Sequence, residues 1–154
     1  MYLGSRTVRE QDASYFQDLR IVTVIDASGM PDLPQHPGIT YHTITVDDKE
    51  SSTIKPFFQE TQRMIMESHA QGASAFVHCN QGISRSATLV MAFLVQQRKM
   101  TLKETWSLMK AKRSVVMPNV GFWKELLELE IQVHGQPSLT IGKYGQLLWN
   151  KQNN

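Results

Sequence analysis

The only cysteine of this 154-residue chain lies in the segment His78-Cys79-Asn80-Gln81-Gly82-Ile83-Ser84-Arg85-Ser86. The short apolar run 75–77 precedes this segment, and a helix-like run from Ser86 to about Arg98 follows it. A strand, a tight loop and a helix in this order gather backbone N–H groups around an anion at the helix N-terminus. The segment therefore predicts an anion-binding loop with a thiol at its floor and a guanidinium on its far side.

Four residues of this segment have properties that suit an anion-binding site with a reactive thiol. About six inward-pointing amides and the helix dipole are expected to lower the pKa of Cys79, because a helix N-terminus stabilises a thiolate. Arg85 offers a planar fork of donors to two oxygens of an oxyanion, which a lysine cannot match. Gly82 lies where the loop must turn sharply, with a positive φ expected. Ser86 can donate its hydroxyl proton to the sulfur.

The pattern His-Cys-x5-Arg-Ser resembles the signature of the cysteine-dependent protein tyrosine phosphatases, and in detail that of the dual-specificity subfamily. The resemblance implies that Cys79 is the nucleophile of a phosphocysteine mechanism, and that His78 orders the loop from behind without acting as a base. The residues that would bind the substrate phosphate are Asn80, Gln81, Gly82, Ile83, Ser84 and Arg85. The alternative is that Cys79 is only a small buried hydrophobic residue. Chance, however, would place the histidine, glycine, arginine and serine of the motif at these offsets from a cysteine on the order of once in 10⁵.

A carboxylic acid upstream of the loop is also expected, because a serine, threonine or tyrosine oxygen leaves poorly without a proton. In the family an aspartate stands upstream of the cysteine, just after a strand, and residues 44–48, Ile-Thr-Val-Asp-Asp, occupy that place here. Aligned residue by residue, the resemblance makes Asp48 the general acid, while Asp47 takes the place of a neighbouring glutamate. The alternative is that each carboxylate is only a solvated group at a strand end.

A second segment carries the same resemblance outside the loop. Residues 113–122, Arg-Ser-Val-Val-Met-Pro-Asn-Val-Gly-Phe, resemble the family's segment that ends in Pro-Asn-x-Gly-Phe. The resemblance implies that Asn119 hydrogen-bonds toward the phosphate loop, and its place before an apolar helix-like run equally predicts a helix cap. The match covers roughly residues 1–133. Gln81 stands where many members have alanine, a position expected to face outward near the pocket rim.

Strands alternating with helices imply an α/β fold whose mostly parallel central sheet is flanked by helices on both sides. The resemblance implies the protein tyrosine phosphatase-like form of this fold. Strands are predicted at 2–3, 21–25, 39–46 and 75–77, with a loop over 26–38. Residues 8–18 are predicted to form a helix that places Val8, Tyr15 and Phe16 in the core.

Capping signals mark the remaining helices. Thr53 is predicted to cap a helix that runs to about Ala70. Thr101 and Glu104 are predicted to form a capping box for the next helix. The last helix is predicted to begin at Asn119, to end near Gly135 and to place Ile131 in the core. These predictions divide the chain into a catalytic domain over 1–135 and a loosely structured C-terminal tail over 136–154.

Composition is that of a globular domain, with 41% hydrophobic and 19% charged residues. A net charge of +2 is too small to argue for a nucleic-acid or membrane partner. The sequence has no cluster of residues at the spacing typical of metal ligands, so neither a metal nor a cofactor is expected. A single cysteine suits a reducing compartment, which predicts a cytoplasmic protein, with the nucleus as a second location. The oligomeric state is left open.

The substrate is predicted to be a phosphoprotein that carries phosphotyrosine and phosphoserine or phosphothreonine. Uncharged residues at 80, 81, 83 and 84 argue against a multiply phosphorylated lipid headgroup. We find no tyrosine-bearing loop that would deepen the pocket, and a shallow pocket admits the shorter phosphoresidues. MAP kinases are substrates by family analogy alone. The alternatives are a pseudophosphatase that binds phosphoproteins and a lipid or RNA phosphatase, and the chain could be an atypical member with only a catalytic domain or an excised domain.

Overall fold

A sheet of four parallel strands organises the structure, a computed structural model that describes residues 1–30, 33–142 and 147–149. The strand order is β1-β4-β2-β3, and every neighbouring pair runs parallel. The strands are β1 (Tyr2–Ser5), β2 (Ile21–Asp26), β3 (Thr40–Thr43) and β4 (Ser74–Cys79). Parallel neighbours need crossover connections, and helices supply them here. The predicted parallel α/β fold is therefore confirmed.

Helices cover both faces of this sheet. They are α1 (Ala13–Asp18), α2 (Phe58–Ala70), α3 (Arg85–Arg98), α4 (Leu102–Lys112) and α5 (Val120–His134). Side chains alternate along β4, so that Val77 and Cys79 face the large core under α2 to α5 and Phe76 faces a smaller cluster with Phe16 of α1. None of the helices in the described ranges is long and apolar enough to cross a membrane.

The N-terminal region differs from the single helix predicted over 8–18. It contains a 3₁₀ turn (Arg6–Glu10) and the short helix α1, separated by extended backbone at Gln11 and Asp12. The side chain of Arg9 is buried and donates to the carbonyl oxygens of residues 33 and 34. These contacts with a distant segment hold Arg6–Glu10 as a separate 3₁₀ turn instead of part of one continuous helix. Tyr15 is exposed, so its core assignment is wrong, whereas Phe16 is fully buried.

The start of α2 also differs from the prediction, because Thr53 does not cap it. A 3₁₀ turn (Lys55–Phe57) precedes α2, and the acceptor at this end is Glu125 of α5. The Glu125 carboxylate accepts the N–H groups of Ile54 and Lys55 at 2.8 Å and 2.7 Å and the Thr53 hydroxyl. An acceptor from a distant helix thus takes the place of the predicted local cap.

Strand β3 is shorter than the predicted 39–46. It ends at Thr43, and one further bond runs from the Ile44 N–H to the carbonyl of Asp26 at 2.8 Å. Because β2 ends at Asp26, the chain beyond Ile44 has no strand beside it and turns toward residues 80–85.

Two helix starts are confirmed, at Thr101 with its capping box and at Asn119, whose Oδ1 accepts the Phe122 N–H at 3.0 Å. Ile131 is exposed, so its placement in the core is wrong.

The predicted tail is more ordered than expected where it is described. Strands β5 (Leu139–Ile141) and β6 (Leu147–Trp149) pair antiparallel, and Leu139 is fully buried in the main core. The buried carboxylate of Glu130 also accepts the Ser138 N–H at 2.9 Å, which anchors the start of the segment on α5. The prediction of loose structure is therefore wrong for these residues, and 143–146 and 150–154 lie outside the described residues. The division at residue 135 stays a prediction.

Candidate active site

The carboxyl ends of three strands meet at one edge of the sheet. Ser5 of β1 lies beside Cys79 of β4, and Asp26 of β2 lies beside His78. In parallel α/β sheets this edge is where ligands bind. Residues 80–84 form a loop from here to α3, so the strand-loop-helix context predicted for the segment 78–86 is present. We call residues 80–84 the phosphate loop.

The sulfur of Cys79 lies at the base of this loop, with 2% of the residue exposed. Burial raises the pKa of the thiol, but hydrogen bonds from the Ser86 hydroxyl and from the N–H groups of Ser86, Gly82 and Ile83 outweigh burial and lower the pKa below its ordinary value. The Ser86 Oγ donates to Sγ at 3.2 Å. The main-chain donors therefore act on the pKa of Cys79 in the direction that the sequence predicts.

Gly82 occupies the turn of the phosphate loop with φ +66°. A Cβ atom at this position would lie 2.4 Å from the carbonyl oxygen of Gly4 and 3.0 Å from the nitrogen of Ser5. Both the positive φ and the contact with the end of β1 therefore require glycine.

Replacing Gly82 by alanine is expected to lower the free energy of unfolding by roughly 2–5 kcal/mol, from backbone strain and overpacking. Gly38→Ala is the matched control, because Gly38 has φ +80° and open space around its Cα. The control is expected to cost only the strain of positive φ, about 1–2 kcal/mol. Urea denaturation of both variants measures the difference, and equal losses would show that the contact with β1 contributes nothing.

The guanidinium of Arg85 is directed into the site at the first residue of α3. Its Nη1 donates to the carbonyl oxygens of Ser28 and Val46 at 3.1 Å and 3.2 Å. The loops that follow β2 and β3 therefore hold the guanidinium in place. Its Nε is buried and has no hydrogen-bond partner among the described residues. A buried cationic donor without an acceptor is costly, and the oxygen of an oxyanion would satisfy it.

The carboxylate of Asp48 faces the phosphate loop. Its Oδ1 accepts the Ser84 hydroxyl at 2.6 Å and the Asn119 Nδ2 at 2.8 Å. Its Oδ2 lies 4.0 Å from the Arg85 Nε, and the side chain is 35% exposed. With Oδ1 engaged by two donors, Oδ2 is the oxygen that remains for a proton at the site.

Asp47 points away from this arrangement. Its side chain is 70% exposed and pairs with Lys49 at 2.7 Å. The hydrogen bond and the charge of Lys49 lower the pKa of this surface carboxyl. The structure thus brings Asp48, and not Asp47, together with Arg85 and the phosphate loop.

The loop that carries Asp48 is packed directly on the N-terminus of α5. The Asn119 side chain donates from Nδ2 to Asp48, and its backbone N–H donates to Ser84 Oγ at 3.1 Å, so one asparagine caps α5 and joins two parts of the site. A Cβ on Gly121 would lie 2.1 Å from the carbonyl oxygen of Glu50. Both interpretations of Asn119, the helix cap and the bond toward the phosphate loop, are therefore present in the geometry.

His78 faces the side of the sheet opposite to Cys79. It is fully buried, stacks on Phe76 at 5.2 Å between ring centroids, and its Nε2 lies 3.4 Å from Arg9 Nη1 and 3.7 Å from Asp26 Oδ1. Burial lowers the pKa of His78 to about 4, with Arg9 acting in the same direction and Asp26 against it. The imidazole is therefore neutral at pH 7, behind the loop and away from its anion-binding face.

Sequence reasoning missed Arg9, Asp26 and Ser28, which support the site from β2 and the 3₁₀ turn. Asp26 accepts the Ser28 N–H at 2.7 Å and lies 3.5 Å from Arg9 Nη1, and Ser28 in turn holds Arg85 through its carbonyl. The position of Asp26 at the carboxyl end of a buried strand was a usable signal. Arg9 offered none, because its partners come from distant segments.

The described residues contain no group of three or more His, Cys, Asp or Glu side chains that could hold a metal ion. The remaining predicted loop residues differ in exposure. Gln81 is exposed, as expected for a position at the rim, while Ser84 is 5% exposed and contacts Asp48.

A thiol with main-chain donors at the end of a strand, a tight loop, and a guanidinium at the start of the following helix define the class of cysteine-dependent phosphatases. Residues 1–132 match the family described as "Dual specificity phosphatase, catalytic domain". The chain belongs to this family of protein tyrosine/serine/threonine phosphatases.

Individual relatives agree with this assignment. Dual specificity protein phosphatase 2 of Mus musculus is 36% identical over 135 residues, 86% of this chain and 42% of that protein. Human DUSP28 superposes with a TM-score of 0.81 at 24% identity, over 87% of this chain and 93% of that chain, which shows the shared fold. The human tyrosine phosphatase-like serine/threonine/tyrosine-interacting protein has a TM-score of 0.79 at 25% identity, over 84% and 90%. The chain spans between 11% and 66% of the lengths of eight curated relatives that it matches.

Proposed function

We propose that this chain hydrolyses phosphotyrosine and phosphoserine or phosphothreonine in phosphoproteins through a phosphocysteine intermediate. The observation that carries the proposal is the presence, in one site, of a Cys79 sulfur whose pKa is lowered by main-chain donors and a buried Arg85 Nε that has no hydrogen-bond partner among the described residues. The family assignment supports phosphoprotein substrates, and the shallow pocket predicted from the sequence supports dual specificity. A cytoplasmic or nuclear location stays a prediction.

In the first half-reaction the Cys79 thiolate attacks phosphorus and the bond from phosphorus to the ester oxygen breaks. The Arg85 fork and the loop N–H groups bind the non-bridging oxygens, where charge is held in the transition state. Asp48, protonated at Oδ2, gives its proton to the leaving oxygen of the substrate residue. The product alcohol or phenol leaves, and phosphate remains on sulfur.

In the second half-reaction a water molecule attacks the phosphocysteine. The Asp48 carboxylate takes a proton from this water, the S–P bond breaks, and inorganic phosphate is released. The Ser86 hydroxyl, 3.2 Å from Sγ, donates a hydrogen bond to the departing thiolate. Asp48 is then protonated again and Cys79 is again a thiolate, so the chain is unchanged at the end of the cycle.

Peptides of one sequence that carry phosphotyrosine, phosphothreonine or phosphoserine at the same position test the proposal. We expect phosphate release from the tyrosine peptide and from at least one of the other two, because the shallow pocket predicted from the sequence admits the shorter phosphoresidues. A doubly phosphorylated Thr-x-Tyr peptide of the MAP kinase type extends the series to that predicted substrate. Cys79→Ser prepared in parallel excludes a contaminating phosphatase.

The same assay decides between the alternative functions. Binding of the peptides without phosphate release would favour the pseudophosphatase, an interpretation to which the likeness to the tyrosine phosphatase-like interacting protein draws attention. Release from phosphoinositides or 5′-phosphorylated RNA, with none from peptides, would favour the lipid or RNA phosphatase. The presence of Cys79, Arg85, Ser86 and Asp48 in one site supports turnover over binding alone.

A further inference from the structure

Four consecutive carbonyl oxygens of the phosphate loop are held from outside the loop. The donors belong to the residue after β1, the residue after α4 and the segment before α5. The Asn80 oxygen accepts the Arg6 N–H at 3.2 Å, the Gln81 and Gly82 oxygens accept Arg113 Nη2 and Nε at 2.9 Å and 3.0 Å, and the Ile83 oxygen accepts the Met117 N–H at 2.8 Å. Arg113 is the only side chain among these donors, and it holds two of the four.

The planarity of the peptide bond connects these outer contacts to the inside of the loop. In a trans peptide the C=O and the following N–H point in opposite directions. A Gln81 carbonyl that is held outward therefore directs the Gly82 N–H inward, and an outward Gly82 carbonyl does the same for the Ile83 N–H. These two N–H groups are among the donors that lower the pKa of Cys79.

We propose that Arg113 is a positioning residue that holds two successive peptides of the phosphate loop in their anion-binding orientation. The inference deepens the proposed function and rests on it for its catalytic meaning. A guanidinium suits this role because its Nε and Nη2 donate from one rigid plane to two neighbouring acceptors, which a single ammonium on a flexible stem cannot do. The backbone of Arg113 is itself fixed, since its N–H donates to the Met109 carbonyl at 2.8 Å at the end of α4.

The sole cysteine of the chain makes the test direct, because alkylation by iodoacetamide reports on Cys79 alone. Among the described residues, Arg85 of α3, Asp48 of the loop after β3 and His78 on the opposite face of β4 are charged or titratable groups of this site, and all three remain in every variant. The rate of alkylation is measured from pH 4 to pH 9 for the wild type, Arg113→Met, Arg113→Lys and the control Lys112→Met. Lys112→Met removes the same charge one residue away, from an exposed side chain.

Loss of two inward amides is expected to raise the midpoint of the alkylation profile by about one pH unit in Arg113→Met, and to weaken competitive inhibition by inorganic phosphate about tenfold. Arg113→Lys is expected to behave like Arg113→Met, because charge without the fork does not hold both carbonyls. Lys112→Met is expected to keep the wild-type midpoint. A purely structural role would lower the melting temperature without moving the midpoint of the folded protein.

A wild-type midpoint in Arg113→Met or in Arg113→Lys overturns the proposal. Arg113→Lys keeps the aliphatic stem and the charge, so it decides the matter even if Arg113→Met does not fold. Alkylation needs no turnover, which separates this inference from the proposed function. A shifted midpoint in a protein that releases no phosphate from any peptide would support the role of Arg113 and refute the phosphatase activity.

Discussion

Replacing Cys79 by serine is expected to reduce phosphate release from a phosphotyrosine peptide by on the order of 10⁴-fold or more. A serine hydroxyl is not ionised by the hydrogen bonds that suffice for a thiol, so the nucleophile is lost while the phosphate-binding groups remain. Binding of the peptide is expected to persist, because the Arg85 guanidinium and the loop N–H groups are unchanged. Steady-state turnover and fluorescence anisotropy of a labelled peptide measure the two effects separately.

Two controls strengthen this experiment. Acid quenching of the wild-type reaction, followed by mass spectrometry, should find phosphate on the peptide that contains residue 79. Ser107→Ala, on the exposed side of α4, should keep wild-type turnover and shows that a routine surface substitution is tolerated. Turnover by Cys79→Ser at the wild-type rate would mean that the sulfur is not the nucleophile, and the phosphocysteine mechanism would have to be abandoned.

Replacing Asp48 by asparagine is expected to lower kcat for a phosphothreonine or phosphotyrosine peptide at pH 7 by about 10²–10⁴-fold, the usual contribution of general acid catalysis. Asparagine keeps the acceptor oxygen for Ser84 and Asn119, so the loop should stay in place while the transferable proton is lost. The loss should be smaller for para-nitrophenyl phosphate, because its leaving group departs without protonation.

Asp47→Asn is the matched control for this variant. It makes the same chemical change one residue away, on a carboxylate that is 70% exposed and paired with Lys49. Surface ion pairs contribute little, so turnover and stability should remain near those of the wild type. A greater loss in Asp47→Asn than in Asp48→Asn would contradict the assignment of the acid, as would an equal loss with the activated and the peptide substrates.

Local signals predicted the elements that depend on neighbouring residues. The capping box of Thr101 and Glu104 closes within one helical turn, and the Asn119 cap reaches only to Phe122. The strand-loop-helix of the segment 78–86 is likewise local, since a buried strand, a glycine with φ +66° and a helix start follow one another directly. Family resemblance added Asp48, which spacing alone does not distinguish from Asp47.

Predictions were wrong where a distant partner replaced a local one. Thr53 does not cap α2 because Glu125, on α5, accepts the N–H groups at this end. The helix over 8–18 is interrupted where the buried Arg9 reaches the carbonyls of residues 33 and 34. The hydrophobic pattern within 8–18 or within 53–70 cannot reveal these partners, because they lie in other segments of the chain.

The chain's own order of residues was enough to specify the anion-binding loop and the sulfur within it, because these follow from backbone geometry over a few residues. It also specified the parallel α/β class, because strands alternate with helices along the chain. Folding in three dimensions was needed to bring Asp48 to Ser84 and Asn119 and to bring Arg113 onto the back of the loop. Asp48 meets Asn119 across 71 residues and Arg113 meets Gly82 across 31. Hydrogen bonds at such separations form only when packed helices bring their ends together, so no local pattern encodes them.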